Sequence, residues 1–154
     1  MGGCMNEQIN IENLKRAAAD VKKLPLQQII RRDVKLNYAG MSAQEGMAEL
    51  ERLKKEGAGL VRFLNTIFIV TDSTGGRIKF HTMSGDSKKS FLLACLLFYF
   101  YLKKLGYDEA VTSFTNPAVI ENLLGGSIND LPSWLSIQET DDAYQLEVDL
   151  NGLG

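Results

Sequence analysis

The chain has 154 residues, 45% of them hydrophobic and 23% charged, with a formal net charge of −2. That length is about one domain, able to bury roughly 70% of its unfolded surface, and the charge balance lacks the global basic footprint of a general nucleic-acid binder. Two cysteines, Cys4 and Cys95, are too few for a disulfide framework or a thiolate metal cluster, and the pair suits a reducing compartment.

The start, Met1-Gly-Gly-Cys-Met-Asn6, lacks the apolar core of a signal peptide. Asn6 also stands where an N-myristoylation motif needs Ser or Thr. Ile11, Leu14, Ala18 and Val21 fall on one stripe of a helix over residues 10–23, and Pro25 ends it or bends the path. Residues 26–32 read as a further helical turn, and Asp33-Val-Lys-Leu-Asn37 as a short strand. Ser42 with Glu45 three residues on forms a capping box. It predicts a helix over 43–56 with Met47, Leu50 and Leu53 facing inward and Gly57 closing it.

Residues 60–64 and 66–71 are strand-like, and the turn cluster at 72–76 joins the second to a strand over Arg77–Met83 as a hairpin. The apolar run from Phe91 to Leu102 falls short of the about 20 residues a membrane span needs, so it reads as a central buried helix ended by Gly106. A strand follows over 110–115. Asn116-Pro117 then opens a short helix toward Gly125, and residues 125–130, with Asp130, form a loop. Residues 134–138 and 144–150 alternate as a closing hairpin around Asp141-Asp142. The organisation expected is an N-terminal helical arm over 1–32 and one domain over 33–150, with no membrane span.

The most informative stretch is the strand from Arg77 that ends in the small, polar hinge Ser84-Gly-Asp-Ser-Lys-Lys-Ser90 at the start of the apolar helix. The first backbone N–H groups of a helix lack internal partners, so such a hinge can hold a phosphate. A Ser- and Asp-rich hinge is equally an ordinary helix cap. Strand alternation puts Ile78, Phe80 and Thr82 on one face and Lys79, His81 and Met83 on the other.

His81 is the sole histidine, and none follows it, which removes a Ser-His-Asp mechanism for the Gly85-Asp-Ser87 block. Asp130, Asp141 and Asp142 fall in turns, where Asp bonds the local backbone, so no metal site is indicated. Lys22-Lys23 with Arg31-Arg32, and Lys88-Lys89, form local basic patches that read most simply as solvated faces. Phe98, Tyr99, Phe100 and Tyr101 point around the whole helix, as expected of one buried on most sides.

The order of helices, antiparallel meander, strand–helix–strand–helix unit and final hairpin, with Asn116 directly after a core strand, resembles the GNAT acyltransferase family from Val34 to Leu150. The resemblance implies an α/β (α+β) fold: a mixed sheet, antiparallel meander plus splayed central strands, flanked by helices. It also implies an acyl-CoA site at the splay with the pyrophosphate on the hinge. The cofactor-binding candidates are then Met83, Ser84, Gly85, Ser87, Lys88, Lys89 and Asn116, with acetyl-CoA as the cofactor of an active member.

The family hinge, Arg/Gln-x-x-Gly-x-Gly/Ala, falls on Thr82-Met-Ser-Gly-Asp-Ser87, which keeps Gly85 and the small Ser87 but departs at Thr82 and Asp86. The family Tyr that protonates the departing thiolate, seven residues after Asn116, is Leu123 here. His81 as a base and Tyr144 as a proton donor remain as catalytic candidates. The Ser-Gly-x-x-Lys-x-x-Phe hinge and its long apolar helix are most similar to the GNAT-like internal virion proteins of short-tailed bacteriophages. That resemblance implies a non-catalytic virion or assembly component without a cofactor, in the bacterial cytoplasm during assembly or in the particle. Its partners would be other phage proteins or a host protein, and it could form an oligomer; nucleic acid is not indicated. The alternative is an acyl-CoA-dependent N-acyltransferase acting on an amine.

Overall fold

Alternating and helical patterns meet in a single six-stranded mixed sheet. The computed structural model describes residues 10–37, 42–114 and 131–153. Helices α1 (Ile11–Ala19), α2 (Leu26–Asn37) and α3 (Ala43–Lys55) precede strands β1 (Gly59–Phe63), β2 (Thr66–Thr74) and β3 (Arg77–Ser84). Helix α4 (Lys88–Lys104), β4 (Glu109–Phe114), β5 (Leu135–Glu139) and β6 (Tyr144–Asp149) follow, and a 3-10 turn spans Leu150–Gly152. The sheet order is β1-β2-β3-β4-β6-β5. Cys4, Asn116, Leu123 and Asp130, and with them the helix expected after Asn116, lie outside the described residues.

The meander β1-β2-β3 is antiparallel, β3 and β4 are parallel across α4, and β6 pairs antiparallel with both β4 and β5. The mixed sheet flanked by helices is the fold class expected. β3 and β4 pair only from Arg77↔Glu109 to Lys79↔Val111, although β3 continues to Ser84 and β4 to Phe114. Beyond that register the two central strands splay apart.

Period-two alternation divides the strands between two cores. Phe68, Ile78 and Phe80 face the larger cluster with α4, where Phe98 is fully buried. There Phe68 and Phe98 stack at 4.1 Å between centroids, and Phe80 meets Phe98 edge-on at 5.1 Å. Ile67, Ile69 and Met83 face the opposite side, packed with Ile29, Ile30, Val34 and Leu50 of α2 and α3. The stripe Ile11, Leu14, Ala18 and Val21 lays α1 on the larger cluster.

One expectation is corrected here. Residues 33–37, read as a short strand, are the last turns of α2. Five alternating residues cannot distinguish the two periods, whereas Ile29, Ile30, Asp33 and Val34 are all buried at the spacing of a single helical face. The capping box is present: Ser42 Oγ accepts from Glu45 N and a Glu45 carboxylate oxygen accepts from Ser42 N, both at 3.1 Å. Gly57 follows α3 with φ of 93°, a left-handed closure that suits glycine.

Gly46 is where α2 and α3 touch. A Cβ there would lie 2.7 Å from Ile30 Cγ2 and 2.9 Å from Val34 Cγ2. Both are methyls of β-branched side chains, whose χ1 has little freedom to move. Gly46→Ala is therefore expected to destabilise the protein by about 1–3 kcal/mol through overpacking, against the roughly 1 kcal/mol that Ala would otherwise return to a helix. Urea unfolding of the two proteins checks the sign.

Cys95 lies in α4 beneath the hinge. Burial pushes its thiol well up; a hydrogen bond with Tyr99 opposes this, and the Asp86 carboxylate adds to it. Burial likewise raises the Tyr99 phenol, with Cys95 contributing. Both groups keep their protons in the folded state, so their stabilisation is complete below the unfolded pKa values of about 8.5 and 10 and is lost as pH rises beyond them. In a Cys4→Ser background, Cys95 should resist thiol reagents in the native protein, and urea midpoints should fall above about pH 8.5.

Candidate functional site at the β3–α4 hinge

The splay opens at the C-terminal end of β3, where the chain turns into α4. Ser87 is the N-cap of that helix: its Oγ accepts from Ser90 N at 3.3 Å and bonds Ser90 Oγ at 3.2 Å. Lys88 and Lys89 occupy the exposed first turn. The N–H groups of Ser87, Lys88 and Lys89 have no hydrogen-bond partner among the described residues.

The preceding donors are occupied from within. Asp33 Oδ1 accepts from Ser84 N at 3.0 Å. Asn65 O accepts from Gly85 N at 2.8 Å. Ser84 Oγ accepts from Asp86 N at 3.1 Å. Asp86 turns inward: its Oδ2 accepts from Asn65 N at 3.0 Å and from the buried Thr66 hydroxyl at 2.7 Å. Its other oxygen, Oδ1, is buried without a partner among the described residues.

Helix α2 sits directly on the glycine. A Cβ on Gly85 would stand 3.1 Å from Ile29 Cα and 3.4 Å from Arg32 Cδ, and Arg32 Nη1 donates to Gly85 O at 3.0 Å. The glycine therefore already has a packing reason: it lets a helix approach.

A second ring of bonds fastens the α1–α2 connector to this hinge. The β1–β2 loop has two residues, Leu64 and Asn65, and Leu64 adopts φ of 53°. A left-handed leucine is uncommon and costs about 1–2 kcal/mol. Burial of its side chain in the larger core holds it there. Asn65, 4% exposed, accepts from Leu24 N at 2.6 Å and donates to Lys22 O at 2.9 Å. Arg62 donates to Leu24 O and Leu64 O, both at 2.7 Å, and to Asn65 Oδ1 at 3.1 Å.

The residues singled out in the sequence are thus distributed as follows. Ser84, Gly85, Ser87, Lys88 and Lys89 are together at the hinge. Met83 is buried in the smaller core under α2 and α3. His81 is exposed on β3, opposite Ile69. Tyr144 is half-buried at the start of β6 beside the end of β4, its ring stacked on Phe114 at 5.4 Å. Asn116 is outside the described residues.

Sequence reasoning missed Asp33, Arg62, Asn65 and Thr66, and it read Arg32 only as part of a basic patch. Of these, only Asn65 carried a local signal, as a turn-prone residue between two apolar runs. Among the described residues no group of His, Cys, Asp and Glu could hold a metal ion, and no helix is long and apolar enough to cross a membrane.

A mixed sheet whose parallel central pairing ends beside a helix N-terminus defines an α+β protein with a splayed central sheet. No protein-family model matches the chain, and no curated protein does. Among solved structures, the crystal structure of N-acetyltransferase from Staphylococcus aureus Mu50 is similar. Its TM-score is 0.44 and its identity 15%, over 94% of this chain and 96% of that one.

Proposed function

We propose that this chain is a non-catalytic, GNAT-like domain that acts through protein contacts, as an internal or assembly component of a bacteriophage particle. The carrying observation is the internal use of the hinge donors. The N–H groups of Ser84, Gly85 and Asp86 bond Asp33, the Asn65 carbonyl and Ser84 Oγ, so three groups that could have faced a diphosphate are spent on the fold. Asp86 adds a carboxylate at the same turn, and Leu123 replaces the expected thiolate acid. A positioned acid typically contributes 10²–10⁴-fold to such a reaction. The phage assignment draws on the sequence resemblance of the hinge and helix.

Isothermal titration of the full chain with acetyl-CoA should give no binding heat, and a micromolar affinity would overturn the non-catalytic reading. Mass spectrometry of purified phage particles tests the second half: the protein should be recovered from the particle, and its recovery only with host proteins would replace the virion role with a host-directed one.

A second reading, an acyl-CoA-dependent N-acyltransferase, is favoured by one observation. β3 and β4 cease to pair after Lys79↔Val111, on the side where the N–H groups of Ser87, Lys88 and Lys89 have no hydrogen-bond partner among the described residues. His81 and Tyr144 would be its proton-transfer candidates, and Ser87, Lys88, Lys89 and Asn116 would hold the cofactor phosphates. Release of free CoA from acetyl-CoA across a panel of amines would establish it.

A further inference from the structure

Three basic pairs, two in the α1–α2 region and one at the start of α4, converge on one hinge. Lys22 and Lys23 are brought there by the Asn65 bonds to Lys22 O and Leu24 N, at 2.9 and 2.6 Å. Arg31 and Arg32 are brought there by the Arg32 bond to Gly85 O at 3.0 Å. Lys88 and Lys89 follow Gly85 by three and four residues. All six side chains are exposed, and among the described residues none stands in an ion pair.

Two nearby carboxylates, Asp33 and Asp86, are turned onto hinge donors, and Asp20 is the exposed acid closest to the group along the chain. A protein of net charge −2 thus carries six of its 17 lysines and arginines on segments joined at one hinge. Stability does not explain this. Lys88 and Lys89 lie in the first turn of α4, which holds no acidic residue, and cations are disfavoured at that end of a helix.

We infer that this basic collar is a docking surface for the phosphodiester backbone of double-stranded nucleic acid, read without sequence preference. Three pairs of lysines and arginines match a repeating row of phosphates better than one compact anion. The collar segments 22–32 and 84–90 contain no aromatic residue on which unpaired bases could stack. A membrane surface would call for an apolar wedge among the cations. Leu26 is the single large exposed apolar side chain described in the collar, while Tyr101 and Leu105 lie toward the other end of α4.

This surface does not depend on the proposed function, and acetyl-CoA titration and duplex binding answer separate questions. The test is fluorescence anisotropy of a labelled DNA duplex with the full-length chain across a salt series. With about five phosphates neutralised, log affinity should fall against log salt with a slope of about −4 to −5. Lys88→Ala/Lys89→Ala should make the slope shallower by about 2 and weaken binding to unrelated sequences equally. Lys54→Ala/Lys55→Ala, at the end of α3, should leave both unchanged.

Unchanged thermal midpoints would show that both variants are folded. Four outcomes would overturn the inference: absence of salt-dependent binding, equal effects of the two variants, stronger capture by phosphatidylserine vesicles or polyglutamate than by the duplex, or one-to-one displacement of the duplex by CoA.

Discussion

Replacing Phe98 with Ala should lower stability by about 3–5 kcal/mol, the range for deleting a buried aromatic side chain. Phe98 is fully buried, stacks on Phe68 at 4.1 Å and meets Phe80 edge-on at 5.1 Å. It joins the helix of the splayed unit to two strands of the meander. The cavity would open between layers that cannot collapse without moving α4, so both the transfer and the cavity terms should be felt. For a domain of this size that corresponds to a fall in Tm of roughly 6–20 °C. Phe98→Leu, which refills much of the space, should lose substantially less. Equal losses for Ala and Leu would show that ring packing, not volume, dominates.

Asn65→Ala should cost about 2–4 kcal/mol despite removing a small side chain. The asparagine accepts from Leu24 N and Arg62 and donates to Lys22 O, and it is 4% exposed. Truncation leaves these partners unsatisfied where the connector crosses the β1–β2 loop. Asn65→Asp keeps the acceptor toward Leu24 N and Arg62 but loses the donor toward Lys22 O, so it should fall between wild type and Ala. Hydrogen exchange gives the sharper readout. The Leu24 amide should lose protection in Asn65→Ala and retain most of it in Asn65→Asp. If Leu24 exchanges equally in all three proteins, the connector is held by its apolar contacts and the asparagine is incidental.

These two substitutions also mark where the sequence was readable. Phe98 sits in an apolar run whose only stable place in an α+β domain is the buried helix, so its role follows from local composition. The strand alternation of Ile78, Phe80 and Met83, and the Ser42–Glu45 cap, were legible for the same reason: each depends on neighbours within a few positions. The end of α2 was not legible, because Asp33-Val-Lys-Leu-Asn37 alternates over too few residues to reveal its period. Its identity is decided by Ile29 and Ile30 upstream and by their burial against α3 and β2.

The candidate site divides along the same line. That Ser87 caps α4 and that Lys88 and Lys89 follow could be read directly. What occupies the hinge could not, because the Ser84 amide bonds a carboxylate 51 positions away and Lys22 is tied to a loop 43 positions on. A short motif specifies which donors exist; the tertiary fold specifies what fills them. The same distinction governs Gly85, whose missing side chain suits a phosphate and, in this protein, a helix backbone.

The chain contains one tryptophan, Trp134, 6% exposed, with its ring 6.4 Å from that of Tyr99 on α4. Its fluorescence is a native optical gauge of how firmly the terminal hairpin is seated on that helix. Phe98→Ala, which removes the ring beside the Tyr99 seat at 6.1 Å, should redden the emission before the protein melts. Loosening the connector through Asn65 should leave the spectrum unchanged until global unfolding, so one unlabelled sample can separate damage at the two ends of the molecule.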